Sequence, residues 1–268
     1  MSKVLRVLDI ATQDVLFYDE EFEENCYRFC RKRDIDCLPS LEHGDRIHVR
    51  DDSRKGFIDA VLAGERRIDG SRRLFHPEVL ESFRKNHLLF VYSGEDLAGV
   101  VHFSDFNKST VSIYLYELLF QYERNLRIFL QACGLTNADM KKYFQLKIAE
   151  AREPKSKDYY QRKLRRYTSS QSKNDRLPPF QSFYLDELVG LAKSRGSTLK
   201  TNVVELRNMI MHAHELVNKQ DWTADNYIFD FETFEEFFTR ALALHADCRK
   251  IKNKVAFLLG FDEVVSFE

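Results

Sequence analysis

The chain has 268 residues, 44% of them apolar and 31% charged, an ordinary globular balance with enough length to bury a core. At about 150 residues per domain, two domains are expected. Lysine and arginine number 41 against 42 acidic residues, which excludes a uniformly basic nucleic-acid binder but leaves room for a local basic face. The 10 glycines and 5 prolines are too few for a linker-rich chain, and 22 Phe with 12 Tyr argue against disorder.

Met1–Ile10 carries charges at Lys3, Arg6 and Asp9 and lacks the apolar core of a signal peptide. Apolar runs such as Leu88–Tyr92 are too short to span a bilayer, so no membrane partner is expected. The cysteines are Cys26, Cys30, Cys37, Cys133 and Cys248, an odd number without paired spacing. They predict reduced thiols in a cytoplasmic protein. Cys26 and Cys30 lie one helical turn apart, but no second CxxC or His pair completes a metal set, so two buried side chains are expected.

In chain order, Glu21–Lys32 predicts a helix with Phe22, Cys26, Phe29 and Cys30 on one side. Cys37–Leu41 and Arg46–Val49 predict short strands, followed by a polar stretch from Asp51 to Arg73. Pro77 at a first helical turn opens a helix over Glu78–Lys85. Leu88–Tyr92, a Ser93–Asp96 turn and Leu97–Phe103 predict a hairpin. Helix, strand, turn and strand thus occur twice, a weak internal repeat.

From Val111 onward the pattern is helical. Leu115, Leu119, Tyr122, Leu126 and Phe129 recur at spacings of 4, 3, 4 and 3, up to a stop at Gly134. Tyr184–Ser194 predicts a second helix. A third, capped by Thr201 or Asn202, runs to about Asn218, and a fourth covers Phe231–Leu259. The expected boundary leaves 1–108 as an α/β module and 109–268 as an all-helical domain, an α+β chain overall. Between Lys141 and Arg176, twelve basic residues face four acidic ones, with Tyr143, Tyr159, Tyr160 and Tyr167 interleaved. That composition fits phosphate contact with base stacking, and equally a solvated surface connection.

The sharpest motif is Arg207-Asn208-Met209-Ile210-Met211-His212. At 100° per residue, Val203, Leu206, Ile210, Ala213 and Val217 form one apolar stripe. Asn208 and His212 share the face away from it, and Arg207 lies near the stripe edge. Histidine is the commonest general acid or base near neutral pH, and arginine supplies fixed positive charge for a phosphorane. RNA brings its own nucleophile, the 2′-hydroxyl, so these residues are a sufficient minimum without a metal. The competing reading is a surface or interface helix with a hydrogen-bonded histidine. His212 and His214 diverge by about 200°, which disfavours a shared ion, and His245 enters a metal set only if the fourth helix brings it near.

Arg207-Asn208-x-x-x-His212, on the penultimate long helix of an all-helical half, resembles the HEPN family. The acidic segment Tyr116–Arg127 resembles that fold's opening helix. The resemblance implies a four-helix domain that dimerises with both motifs facing one cleft. It also implies metal-independent endoribonuclease activity in phage defence or toxin–antitoxin systems, with Arg207, Asn208 and His212 as catalytic residues and no cofactor required. His214 stands where a subgroup paired with a nucleotidyltransferase antitoxin carries a modified Tyr, so that subgroup is not supported.

Leu97–Phe106 resembles the closing segment of a CBS module, in which Gly-apolar-apolar-Thr/Ser-x-x-Asp follows a strand. Gly99 and Asp105 match, and His102 replaces the Thr/Ser. Asp34–Pro39 resembles the helix-to-strand junction of a first module, but the matching Gly-x-x-Thr-x-x-Asp is absent there. The resemblance implies a degenerate CBS pair over 1–108 that takes an adenine nucleotide as regulatory ligand, with Asp105 on the ribose and Gly99 and His102 beside it. A pair serving only as a dimer scaffold, with Asp105 as the cap of the next helix, is the alternative. The expected function is therefore a nucleotide-regulated endoribonuclease acting as a homodimer on RNA. A non-catalytic binding module, or RNA binding without cleavage, competes with it.

Overall fold

A computed structural model describes residues 4–33, 35–170, 176–199, 203–216, 228 and 230–260; for 211–216 the description covers the backbone. The chain is mixed α+β, with small sheets in its N-terminal part and helices in its C-terminal part. It divides into two compact units. One holds Lys3–Ser112 with Thr223–Phe238, the other Met1–Ser2, Ile113–Trp222 and Thr239–Glu268.

In the first unit, helix α1 (Glu23–Arg33) precedes strands β1 (Cys37–Pro39), β2 (Arg46–Asp51) and β3 (Gly56–Val61), which form an antiparallel meander. Strand β4 (Arg67–Asp69), helix α2 (Pro77–Lys85) and strands β5 (Leu88–Ser93) and β6 (Asp96–His102) follow. β4 lies parallel to β5 across the α2 crossover, and β5 pairs antiparallel with β6. The repeat read from the sequence is visible in this order. Tyr18, ahead of α1, makes a single parallel bridge to Ser40, as β4 ahead of α2 pairs with β5. β3 has no counterpart in the second repeat.

Strand alternation places side chains of the first sheet on two buried faces. Cys37, Ile47, Leu62, Phe90 and Tyr92, from both sheets, share one cluster. Leu38, on the other face of β1, packs with Cys26 and Cys30 of α1. Burial pushes the Cys30 thiol up to about 11, so it stays protonated. Arg50 of β2 donates to the carbonyls of Cys30 (3.2 Å) and Ile35 (3.0 Å), placing a cation at the carbonyl end of α1. α1 starts after Phe22, which sits in a preceding 3-10 turn and is exposed, so it does not belong to the expected buried face. The polar Asp51–Arg73 stretch, in which no element is expected from the sequence, carries all of β3 and β4.

Of the described residues in the 223–238 segment, 230–238 pack into this unit through their phenylalanines. Phe234 packs edge-on against Phe83 and Phe106, and Phe231 stands edge-on to Phe103. Phe238 lies 5.6 Å from Phe106, ring centre to ring centre. Edge-to-face pairs of this kind add about 0.5–1.5 kcal/mol each beyond burial.

The second unit is built from α3 (Ser109–Ala132, from Ile113 onward), α4 (Asn137–Glu150), α5 (Pro154–Ser169), α6 (Leu185–Ser194), α7 (Val203–Leu216) and α8 (Phe231–Leu258, from Thr239 onward). No strand occurs in it among the described residues. The stripe Leu115, Leu119, Tyr122, Leu126 and Phe129 is buried. Ala241, Leu244 and Ile251 of α8 are buried as well, whereas Leu258 is exposed. The Lys141–Arg176 stretch, one reading of which was a surface connection, is mostly helix. α4 opens on a box in which the Asp139 carboxylate accepts from the Thr136 N–H and hydroxyl, both at 3.0 Å, and α5 opens on Pro154.

Among the described residues no helix is long and apolar enough to cross a membrane.

Candidate functional site

Helix α7 carries the Arg-Asn-x-x-x-His motif. Val203, Leu206 and Ile210 are buried, as the expected stripe requires, and Arg207 and Asn208 are exposed. His212 lies one turn beyond Asn208 on the same helix. The side chains of His212, Ala213 and His214 lie outside the described residues, as do Val217 and the expected caps Thr201 and Asn202. Glu205 pairs with Arg240 of α8, tying the solvent side of α7 to its neighbour. His245 contacts Tyr114 (3.4 Å), and no group of three metal-ligating side chains occurs among the described residues.

Next to the start of α7 lies a cleft of about 430 Å³ that the sequence reading did not assemble. Tyr143 and Phe144 of α4, Tyr159 and Tyr160 of α5, Asp186, Glu187, Gly190 and Lys193 of α6, and Val203 and Val204 of α7 line it. Its polar floor draws on two helices. Glu187, with a side chain only 2% exposed, is the third residue of α6. It accepts from the Tyr184 N–H at 2.8 Å, from Arg166 at 2.8 and 3.0 Å and pairs with Lys163 at 2.9 Å. Asp186 accepts from the Tyr159 hydroxyl at 2.5 Å and from Lys163 at 3.2 Å.

These contacts set the charges. Burial raises the Asp186 pKa, but the hydrogen bond from Tyr159 and the Lys163 ammonium outweigh it and hold the carboxyl below its usual range. Burial works against the Lys163 ammonium, and the Glu187 pairing more than offsets it. Burial, helped by neighbouring Tyr160, pushes the Tyr143 hydroxyl upward, so that it remains a neutral donor. A Cβ on Gly190 would stand 2.3 Å from the Tyr143 hydroxyl, so the absence of a side chain there gives that tyrosine its place.

Lys163 and Arg166 of the basic segment are therefore committed to acidic partners on α6, and Lys147 and Arg162 pair with Glu150 and Asp158 on their own helices. Arg152, Lys155, Lys157 and Arg165 remain on the exposed surface.

In the N-terminal unit, Gly99, His102 and Asp105 fall on one strand and the 3-10 turn that follows it (Phe103–Asn107). A Cβ on Gly99 would stand 2.6 Å from the Thr12 carbonyl oxygen, because Thr12 bridges Val100. The His102 Nδ1 accepts from the Ser104 N–H at 3.3 Å. Asp105 accepts from the His102 N–H at 2.7 Å and pairs with Lys108 at 2.9 Å; Lys108 also donates to the Ile10 carbonyl at 2.6 Å. Each of the three residues thus has a structural task.

Compared with protein-family models, with curated proteins and with solved structures, the chain matches none.

Proposed function

We propose that the protein is a metal-independent endoribonuclease whose α7 motif acts on RNA, with a HEPN-like helical domain working as a homodimer. The observation that carries this reading is the phase of α7: Asn208 is exposed opposite a buried stripe and Arg207 is exposed at its edge. A charged and a hydrogen-bonding side chain, with a histidine one turn on, suit a phosphate partner. The 2′-oxygen attacks the adjacent phosphorus, the bond to the 5′-oxygen breaks, and a 2′,3′-cyclic phosphate forms. His212 moves the proton of the attacking or the leaving oxygen, Arg207 neutralises the phosphorane, and Asn208 orients one or the other. Ile113, Tyr116 and Phe120 form an exposed apolar stripe along α3, which supports contact with a second copy. The test is incubation of the full chain with total RNA under chelator, wild type beside His212→Ala and Arg207→Ala.

For the N-terminal unit the specific observations favour a CBS-like scaffold over an adenine-nucleotide sensor. Gly99 makes room for Thr12, and Asp105 caps a turn and holds Lys108. Calorimetry with ATP tests this. Binding that Asp105→Ala weakens by about 1.5–3 kcal/mol restores the sensor reading.

A further inference from the structure

We propose that the tyrosine-lined cleft beside α7 is a base subsite for guanine, holding the RNA nucleotide next to the phosphate that Arg207 engages. The proposal rests on the ribonuclease reading of α7 and adds its substrate preference.

The cleft volume, about 430 Å³, falls in the range of sites that enclose a small ligand. Its wall is aromatic. Tyr159 stands edge-on to Tyr160 at 5.1 Å between ring centres, and Tyr160 edge-on to Tyr143 at 6.3 Å. Tyr159 is 39% exposed although the Lys163 ammonium lies over its ring at 5.0 Å from the centre, so the ring keeps open surface for a stacking partner. The charges do not suit a free cation as ligand, because Lys163 and Arg166 already neutralise Asp186 and Glu187. They suit a flat neutral ring with N–H donors.

Of the two acids, Glu187 is saturated by Tyr184, Lys163 and Arg166. Asp186 gives Oδ2 to Tyr159 and Lys163 and is also approached by the Glu187 N–H, so of the about four acceptor positions of an ionised carboxylate about one, on Oδ1, remains for a ligand. Guanine presents two adjacent donors, N1–H and the exocyclic amine, to such a group. Adenine and cytosine place a ring acceptor beside their amine, and uracil flanks its one N–H with two carbonyls, so each sets an acceptor against the carboxylate.

Position joins the cleft to the motif. Val204 lines the cleft, and Arg207 and Asn208 follow it at i+3 and i+4. Residues so spaced are helix-surface neighbours about 5–6 Å apart at Cβ. The cleft and the Arg207 side chain thus lie within one helical turn of each other along α7.

The experiment is calorimetric titration of the full chain with the 3′-monophosphates of guanosine, adenosine, cytidine and uridine. Guanosine 3′-monophosphate should bind at least about tenfold tighter than the others, one good hydrogen bond to a charged group. Asp186→Asn should level the four affinities. Val204→Trp, at an exposed position, should abolish binding without moving the thermal midpoint, and it decides the matter if Asp186→Asn fails to fold. Equal affinities in the wild type, or guanosine binding that survives Val204→Trp, overturn the proposal. Cleavage without guanine preference removes the subsite and spares the enzyme; guanine binding without cleavage removes the enzyme reading alone.

Discussion

Arg166 donates to both carboxylate oxygens of Glu187, at 2.8 and 3.0 Å, and thereby fastens α5 to the first turn of α6. Glu187 is buried while Arg166 keeps 37% of its side chain exposed. Breaking a buried pair leaves uncompensated charge and costs about 3–5 kcal/mol; partial solvent screening of Arg166 lowers the expectation to about 2–4 kcal/mol. Glu187→Gln should lose that much in urea unfolding with an unchanged slope. A loss under about 1 kcal/mol contradicts the network's structural role.

Gly99 carries a second stability prediction. Gly99→Ala sets a methyl group against the Thr12 carbonyl, a backbone atom that a rotamer change does not move. Overpacking of this kind costs about 1–3 kcal/mol. Gly64→Ala, where nothing lies within 4 Å, is the control and should stay within about 0.5 kcal/mol. Equal behaviour of the two variants would return Gly99 to a ligand role.

His102 makes the first unit sensitive to acid. Burial lowers its pKa below the ordinary 6.5; Asp105 opposes the shift and His87 adds to it. Its neutral Nδ1 is the acceptor that caps the turn. A depressed folded pKa means that the stabilisation is complete above 6.5 and is lost as pH falls through the folded value. The melting temperature should decline from pH 7 toward pH 5, and His102→Asn, which keeps a capping acceptor, should flatten that decline. An unchanged slope in His102→Asn assigns the sensitivity elsewhere.

How much was legible from the sequence depends on the reach of each interaction. The α3 stripe and the phase of Arg207 and Asn208 follow from local periodicity, and both are seen in the helices. β3 escaped because Gly56–Val61 is exposed or half-buried along most of its length and does not alternate cleanly. β4, three residues long, is defined by its partner β5. α4 and α5 were hidden by their charge, although Thr136-Asn137-Ala138-Asp139 and Pro154 were readable start signals. The grouping of Phe231–Phe238 with the N-terminal unit, and the Tyr159–Asp186 and Arg166–Glu187 bonds, join residues far apart in sequence. No local pattern encodes them.

Tyr122 offers a stabilising change. Its hydroxyl is buried without a hydrogen-bond partner among the described residues, and burial with nearby Asp247 pushes its pKa upward. An unsatisfied buried hydroxyl costs about 1–3 kcal/mol, so Tyr122→Phe should raise the thermal midpoint or leave it level. A fall of several degrees would reveal a partner for the hydroxyl.

The central claim is that the α7 motif cleaves RNA without a metal. The most direct measurement follows total RNA with excess chelator and analyses the new ends, for wild type, Arg207→Ala and His212→Ala of equal thermal midpoint. The account predicts 2′,3′-cyclic phosphate ends from the wild type, a loss of about 10²–10⁴-fold in His212→Ala and about 10²–10³-fold in Arg207→Ala. Activity that needs a divalent metal, or full activity in folded His212→Ala, would contradict it.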